Sequence, residues 1–186
     1  QQLDLFLETP SPMSAASFKT QLKNWKADTS QEQLAKVISY CNLGYYEQQF
    51  LQFQEAITSF EYAKKLYNQK GLSDYDMLNS CYIPLGNLYT QTNALSEAEN
   101  QIKEYILIAQ DEDRTPEVVV GLLNLSVVFR SQGANQQAIN VLEEGLRLAP
   151  KHPGLKLNLA ANLVQIGKLE RAIIIVDQVL ASDDSN

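Results

Sequence analysis

From Ser30 onward, apolar positions recur at steps of three and four with charged and amide residues between them, the spacing of one buried face on an α-helix. A longer order lies above that period. Leucine is followed by a small residue at Leu43-Gly44, Leu85-Gly86, Leu125-Ser126 and Leu159-Ala160, and thirteen residues after each leucine stands an alanine: Ala56, Ala98, Ala138 and Ala172. Four residues beyond each alanine comes a large apolar side chain, Phe60, Ile102, Leu142 or Val176. Pairs of antiparallel helices account for this pattern. Where two backbones approach most nearly only Gly, Ala or Ser leaves room, and large neighbours fill the remaining volume. Gly133 and Gly167 share one position with Asn93 between the paired helices, and all three tolerate a left-handed backbone. Upstream, Phe18, Leu22 and Trp25 fall on one face of a further helix, capped by Ser11 or Ser14 and broken at Asp28-Thr29-Ser30. Residues 1–12 hold two prolines and no period, and read as an arm whose Leu3, Leu5, Phe6 and Leu7 pack against something.

The best-formed unit runs from Leu122 to Pro150, with Leu122, Leu125, Ser126 and Phe129 on its first helix and Gly133 in the turn. Ala138, Leu142 and Gly145 follow on the second helix, and Pro150 closes it. This layout resembles the tetratricopeptide repeat, and the resemblance covers residues 37–186. It implies an all-α fold, a right-handed superhelical solenoid of antiparallel helix pairs. The organisation expected is an arm over 1–12, a helix over 13–30 packed on the first repeat, and four helix pairs over about 31–72, 73–114, 115–152 and 153–186. The alanines follow one another at 42, 40 and 34 residues, and the two longer steps resemble the extended repeats of kinesin light chains. Their extra residues fall at Lys65 to Asp74 and Ile106 to Thr115, at the ends of the second helices. Three positions depart from the family pattern. Glu47 stands where the other units have Tyr89, Phe129 and Leu163, the first turn lacks a glycine, and Asp184 replaces the closing proline.

Composition removes several functions. The chain of 186 residues has a net charge of -7 and no basic stripe, which argues against nucleic acid, because phosphate contact is carried by clustered Lys and Arg. Apolar runs such as Tyr105 to Ala109 fall far short of the ~20 residues that span a bilayer, so no membrane insertion is expected. Cys41 and Cys81 lie far apart with His152 as the single histidine, so no metal site is expected, and both cysteines read as packing residues. Asp111-Glu112-Asp113 precedes a helix start and complements its dipole. The sequon Asn124-Leu125-Ser126 falls on packing positions. No phosphate loop, nucleophile elbow or catalytic cluster is present, so neither enzyme activity nor a cofactor is expected. The chain starts at Gln1-Gln2 without methionine, the expected mark of a removed upstream segment, which leaves the compartment open between cytoplasm and export.

Surface for binding is what remains. In the tetratricopeptide fold the first helices line a concave surface that holds partners. Counted along the motif, the inward row includes Ile38, Cys41, Tyr45, Gln48, Ser80, Ile83, Asn87, Thr90, Val120, Leu123, Val127, Arg130, Leu157, Ala161 and Val164. Of these, Tyr45, Gln48, Asn87, Thr90, Leu123, Val127 and Arg130 are the candidate partner-binding groove. A clamp for a peptide carboxylate needs charged and amide donors, and only Asn87 matches such a clamp. The groove therefore suits an apolar partner helix or extended segment, or the Leu3 to Leu7 arm folded back. The last helix carries Ile173 to Val176 in succession, which makes Ile174 and Ile175 a candidate interface for a homodimer or for further repeats. Asn186 ends a 34-residue unit counted from Pro153, as a cut at a repeat boundary would leave it. The function expected is a non-enzymatic protein–protein interaction scaffold. The alternatives are a regulatory or targeting module of a larger multidomain protein, and a self-associating assembly subunit.

Overall fold

Hydroxyl side chains start the first two helices. In the computed structural model, which describes residues 11–183, α1 spans Pro12–Asn24, and Ser11 and Ser14 each accept the other's backbone N–H. Its Ala15, Phe18 and Leu22 are buried. Trp25, expected on the same helical face, instead caps the helix end half-buried, and its carbonyl accepts a 2.7 Å bond from Lys36 Nζ. Helix α2 (Ser30–Gln49) begins at Thr29, whose hydroxyl accepts from the Glu32 N–H. The Glu32 carboxylate accepts in return from the backbone of Thr29 and Asp28, and these bonds hold its carboxyl below the usual range.

The described helices fall into two compact units, residues 1–92 and 93–186, and the division lies between the two helices of the pair expected over 73–114. In the first unit α2 packs along α3 (Phe53–Lys70), with Gly44 at a close approach: a Cβ there would lie 2.7 Å from the Phe60 ring. The turn between them places Leu51 at φ 60°, in the position held elsewhere by Asn93, Gly133 and Gly167, which also have positive φ. A bond from Gln52 N–H to Glu47 O closes it in the Schellman manner.

Glu47 departs from the large apolar pattern for a reason that lies partly outside its own repeat. It is buried, and its carboxylate accepts from Ser59 Oγ at 2.6 Å and from Lys19 Nζ of α1 at 3.0 Å. A charge taken out of water needs such partners, and the pair ties α1 onto α2 and α3. After α3 stops at the left-handed Gly71, the chain re-enters helix through a π-helical turn, Leu78–Tyr82, and continues as α4 (Ile83–Gln91). Pro84 explains the wide turn. Proline has no N–H and its ring crowds the carbonyl four residues earlier, and here Ile83 N–H reaches back five residues to Leu78 O.

The second unit holds α5 (Leu95–Asp111), α6 (Thr115–Ser131), α7 (Asn135–Leu148), α8 (Pro153–Gln165) and α9 (Leu169–Asp183). Helices α3 and α5, at 18 and 17 residues, outrun α7 at 14, so lengthened second helices supply part of the two long repeat steps, and α6, at 17 residues against 13 in α8, supplies more of the second. Leu142, Leu155, Leu159 and Leu163 centre a core shared by α7 and α8, with Leu123 and Ile175 packed on its edge. His152 is the N-cap of α8, its Nδ1 accepting from Leu155 N–H at 3.2 Å, a structural use for the single histidine. The arm residues Leu3, Leu5, Phe6 and Leu7, and Asp184, lie outside the described residues.

Candidate partner-binding faces

In the first unit the candidate residues sit on α2 and α4. Tyr45 is partly exposed, its ring meets Phe60 edge-on at 5.4 Å, and its hydroxyl donates to Asn79 O at 3.0 Å. Burial, with Cys41, Cys81 and Asp76 nearby, raises its phenol pKa, so at neutral pH the ring offers a neutral O–H. Gln48 is half-buried and Asn87 exposed, while Thr90 turns its hydroxyl to Gly86 O of its own helix. Cys41, expected on the same inward row, is fully buried beside Cys81, and both are free thiols. The Cys81 thiol donates to Phe60 O at 3.3 Å, and its pKa is pushed up by a hydrogen bond with Cys41 and by burial. It is held as a thiol, the unreactive form.

In the second unit Leu123, Val127 and Arg130 stand on α6. Leu123 and Val127 are half-buried, Leu123 against the core of α7 and α8, and Arg130 is exposed in the last turn of α6. Val120, a turn before Leu123, is exposed as well. The face of this helix is thus apolar with one cation at its end. At the far end of the unit Ile174 is exposed, whereas Ile175 lies half-buried against the core. Ile173, named in the apolar run, and Leu169 and Leu180, not named as interface residues, are more than half exposed. Their signal was available, because Leu169, Ile173, Val176 and Leu180 follow at four, three and four residues, a single stripe of a helix. Among the described residues no helix is long and apolar enough to cross a membrane.

Helix pairs closed by small residues and left-handed turns are the layout of a helical repeat protein. The tetratricopeptide repeat family model matches residues 129–186. Kinesin light chain-related protein 3 of Arabidopsis thaliana is 27% identical over 134 residues, 70% of this chain and 20% of the relative. Kinesin light chain-related protein 2 of the same plant is 25% identical over 133 residues. The chain spans about a fifth of the length of these curated relatives. Among solved structures, BtubC (BKLC) from P. vanneervenii has a TM-score of 0.79 at 17% identity, covering 98% of this chain and 77% of that one. A putative kinesin light chain from Podosopora anserina with nearly identical TPR-like repeats reaches 0.71 at 19% identity, covering 97% and 88%. A MamA double mutant reaches 0.72 at 14% identity, covering 98% and 90%. Residues 129–186 match the tetratricopeptide repeat, and the chain is similar in sequence to the kinesin light chain-related proteins and in fold to the kinesin light chain structure. Its fold is the all-α helix-pair fold of these structures.

Proposed function

We propose that this chain is a non-enzymatic scaffold that holds an apolar segment of a partner protein on its first helices. The observation that carries the reading is the face of α6. Val120, Leu123 and Val127 leave apolar surface on a helix already packed on its neighbours, with Arg130 as the one cation in its last turn. Apolar side chains left at a surface rimmed by polar ones mark interaction sites. The first unit, taken by itself, offers one aromatic ring and short polar groups at Tyr45, Gln48, Asn87 and Thr90, and no charged clamp.

Affinity capture from a lysate of the source organism tests this, with wild type compared against Val127→Asp. Val127 is the better probe than Leu123, whose contacts with the core would confuse loss of binding with loss of folding. The variant should lose a captured protein while its melting curve stays close to that of wild type. Equal capture by both would remove α6 as the binding face.

A further inference from the structure

The two cysteines of the chain lie 40 residues apart in sequence, and the first unit buries both as free thiols, each 0% exposed. Counted from Leu43 and Leu85, Cys41 and Cys81 stand where Leu123 and Leu155 stand relative to Leu125 and Leu159. Those two leucines share the core of the second unit. A pair of thiols thus replaces a pair of apolar side chains.

Several contacts bring the thiols together. Tyr45, one turn beyond Cys41 on α2, donates its hydroxyl at 3.0 Å to the carbonyl of Asn79, in the π-helical turn that holds Cys81. The Cys81 thiol donates to Phe60 O of α3 at 3.3 Å, and the Phe60 ring meets Tyr45 edge-on at 5.4 Å. The two thiols hydrogen-bond each other. Cysteines whose backbones lie far apart cannot be bridged without moving them, whereas thiols already in contact supply the starting geometry.

We infer that Cys41 and Cys81 form a disulfide site, closed by exchange with a small-molecule disulfide such as oxidised glutathione, which cross-links α2 to the π-helical turn ahead of α4. One cysteine gives its proton to water and attacks a sulfur of the reagent, whose S–S bond breaks and whose other half leaves as a thiolate and takes up a proton. The second cysteine, likewise deprotonated, attacks the protein sulfur of this mixed disulfide and releases the other half. Two cysteines have lost two electrons and two protons, and the reagent has become two thiols. Side chains that are 0% exposed leave no room for an adduct, so the mixed disulfide resolves onto the neighbouring cysteine. Access comes by opening of the mostly exposed link over 71–76 that leads into the π-helical turn. The closed bridge spans a loop containing all of α3 and removes freedom from its unfolded chain. It also holds Asn79 O against the Tyr45 hydroxyl.

The test equilibrates the full chain with mixtures of reduced and oxidised glutathione, folded and in concentrated urea, starting from both the reduced and the oxidised protein. Alkylation and mass spectrometry then count the bridge. Its formation constant should be about thirtyfold or more larger in the folded chain, because the ratio of the two constants equals the stabilisation that the bridge gives the fold. The folded product should have lost two hydrogen atoms, carry no glutathione, and melt about 5–10 °C higher until dithiothreitol is added. Cys41→Ser should abolish both the bridge and the melting shift. A formation constant in the folded chain equal to or below that in urea overturns the proposal. Glutathione adducts on the folded chain, or disulfides between two chains in place of the internal bridge, overturn it as well.

Discussion

Leu51 is the residue at which local preference and repeat geometry conflict most openly. Three units place Asn93, Gly133 or Gly167 at the left-handed position of their turn, and the first places a leucine there at φ 60°. For a side chain with a Cβ this conformation costs about 1–2 kcal/mol, and a leucine that is 74% exposed gains little burial in return. Leu51→Gly should therefore raise the unfolding free energy by about 1 kcal/mol, once the greater freedom of glycine in the unfolded chain is subtracted. Urea denaturation measures it, and a fall in stability would mean that Leu51 makes contacts outweighing its strain. The other conspicuous departure, Glu47, is no conflict once its partners are known. It exchanges an apolar contact for hydrogen bonds to Ser59 and Lys19.

At the scale of elements, that carboxylate fastens α1 to the first helix pair. Lys19 reaches Glu47 and also donates to Glu55 O at 3.2 Å, so the two elements are joined by one ammonium group. Removing one member of a buried ion pair leaves the other charged and without compensation, which costs about 3–5 kcal/mol where both are fully buried. Lys19 is 16% exposed at its side chain, so Lys19→Ala should fall toward the lower end of that range, about 3 kcal/mol. Denaturation of the variant beside the double variant Lys19→Ala, Glu47→Leu checks the cause. The second change should return most of the loss, because it restores the large apolar residue that the other units carry; a loss that persists would locate the cost in packing of the Lys19 stem. The π-helical turn before α4 follows the same logic, since a single residue, Pro84, reshapes the helix that contains it.

For the whole molecule, a net charge of -7 and an apolar face on α6 point to association by burial rather than by counterion release. The affinity of a partner held on α6 should change by less than about threefold between roughly 0.05 and 0.2 M salt, whereas a site neutralising six or more phosphates loses about 10³ over that range. Titration at the two salt concentrations decides it, and a steep fall would replace apolar burial with charge as the basis of recognition. The helices, the pairing of α2 with α3, α6 with α7 and α8 with α9, and the left-handed turns at Asn93, Gly133 and Gly167 were legible in the spacing of Leu43, Ala56, Gly133 and their counterparts. A helical period and a tight turn depend on residues a few steps apart, and close packing admits only small residues at a crossing. Tertiary structure alone decided which apolar residues stay wet. Ile139 and Ile173 occupy equivalent positions on similar helices, yet one is covered by α8 and the other faces solvent. It decided the role of Glu47 as well, because Lys19 lies 28 residues away and only the docking of α1 brings the two charges within 3.0 Å. Burial and pairing belong to neighbours that the chain supplies from a distance, so no local pattern can report them.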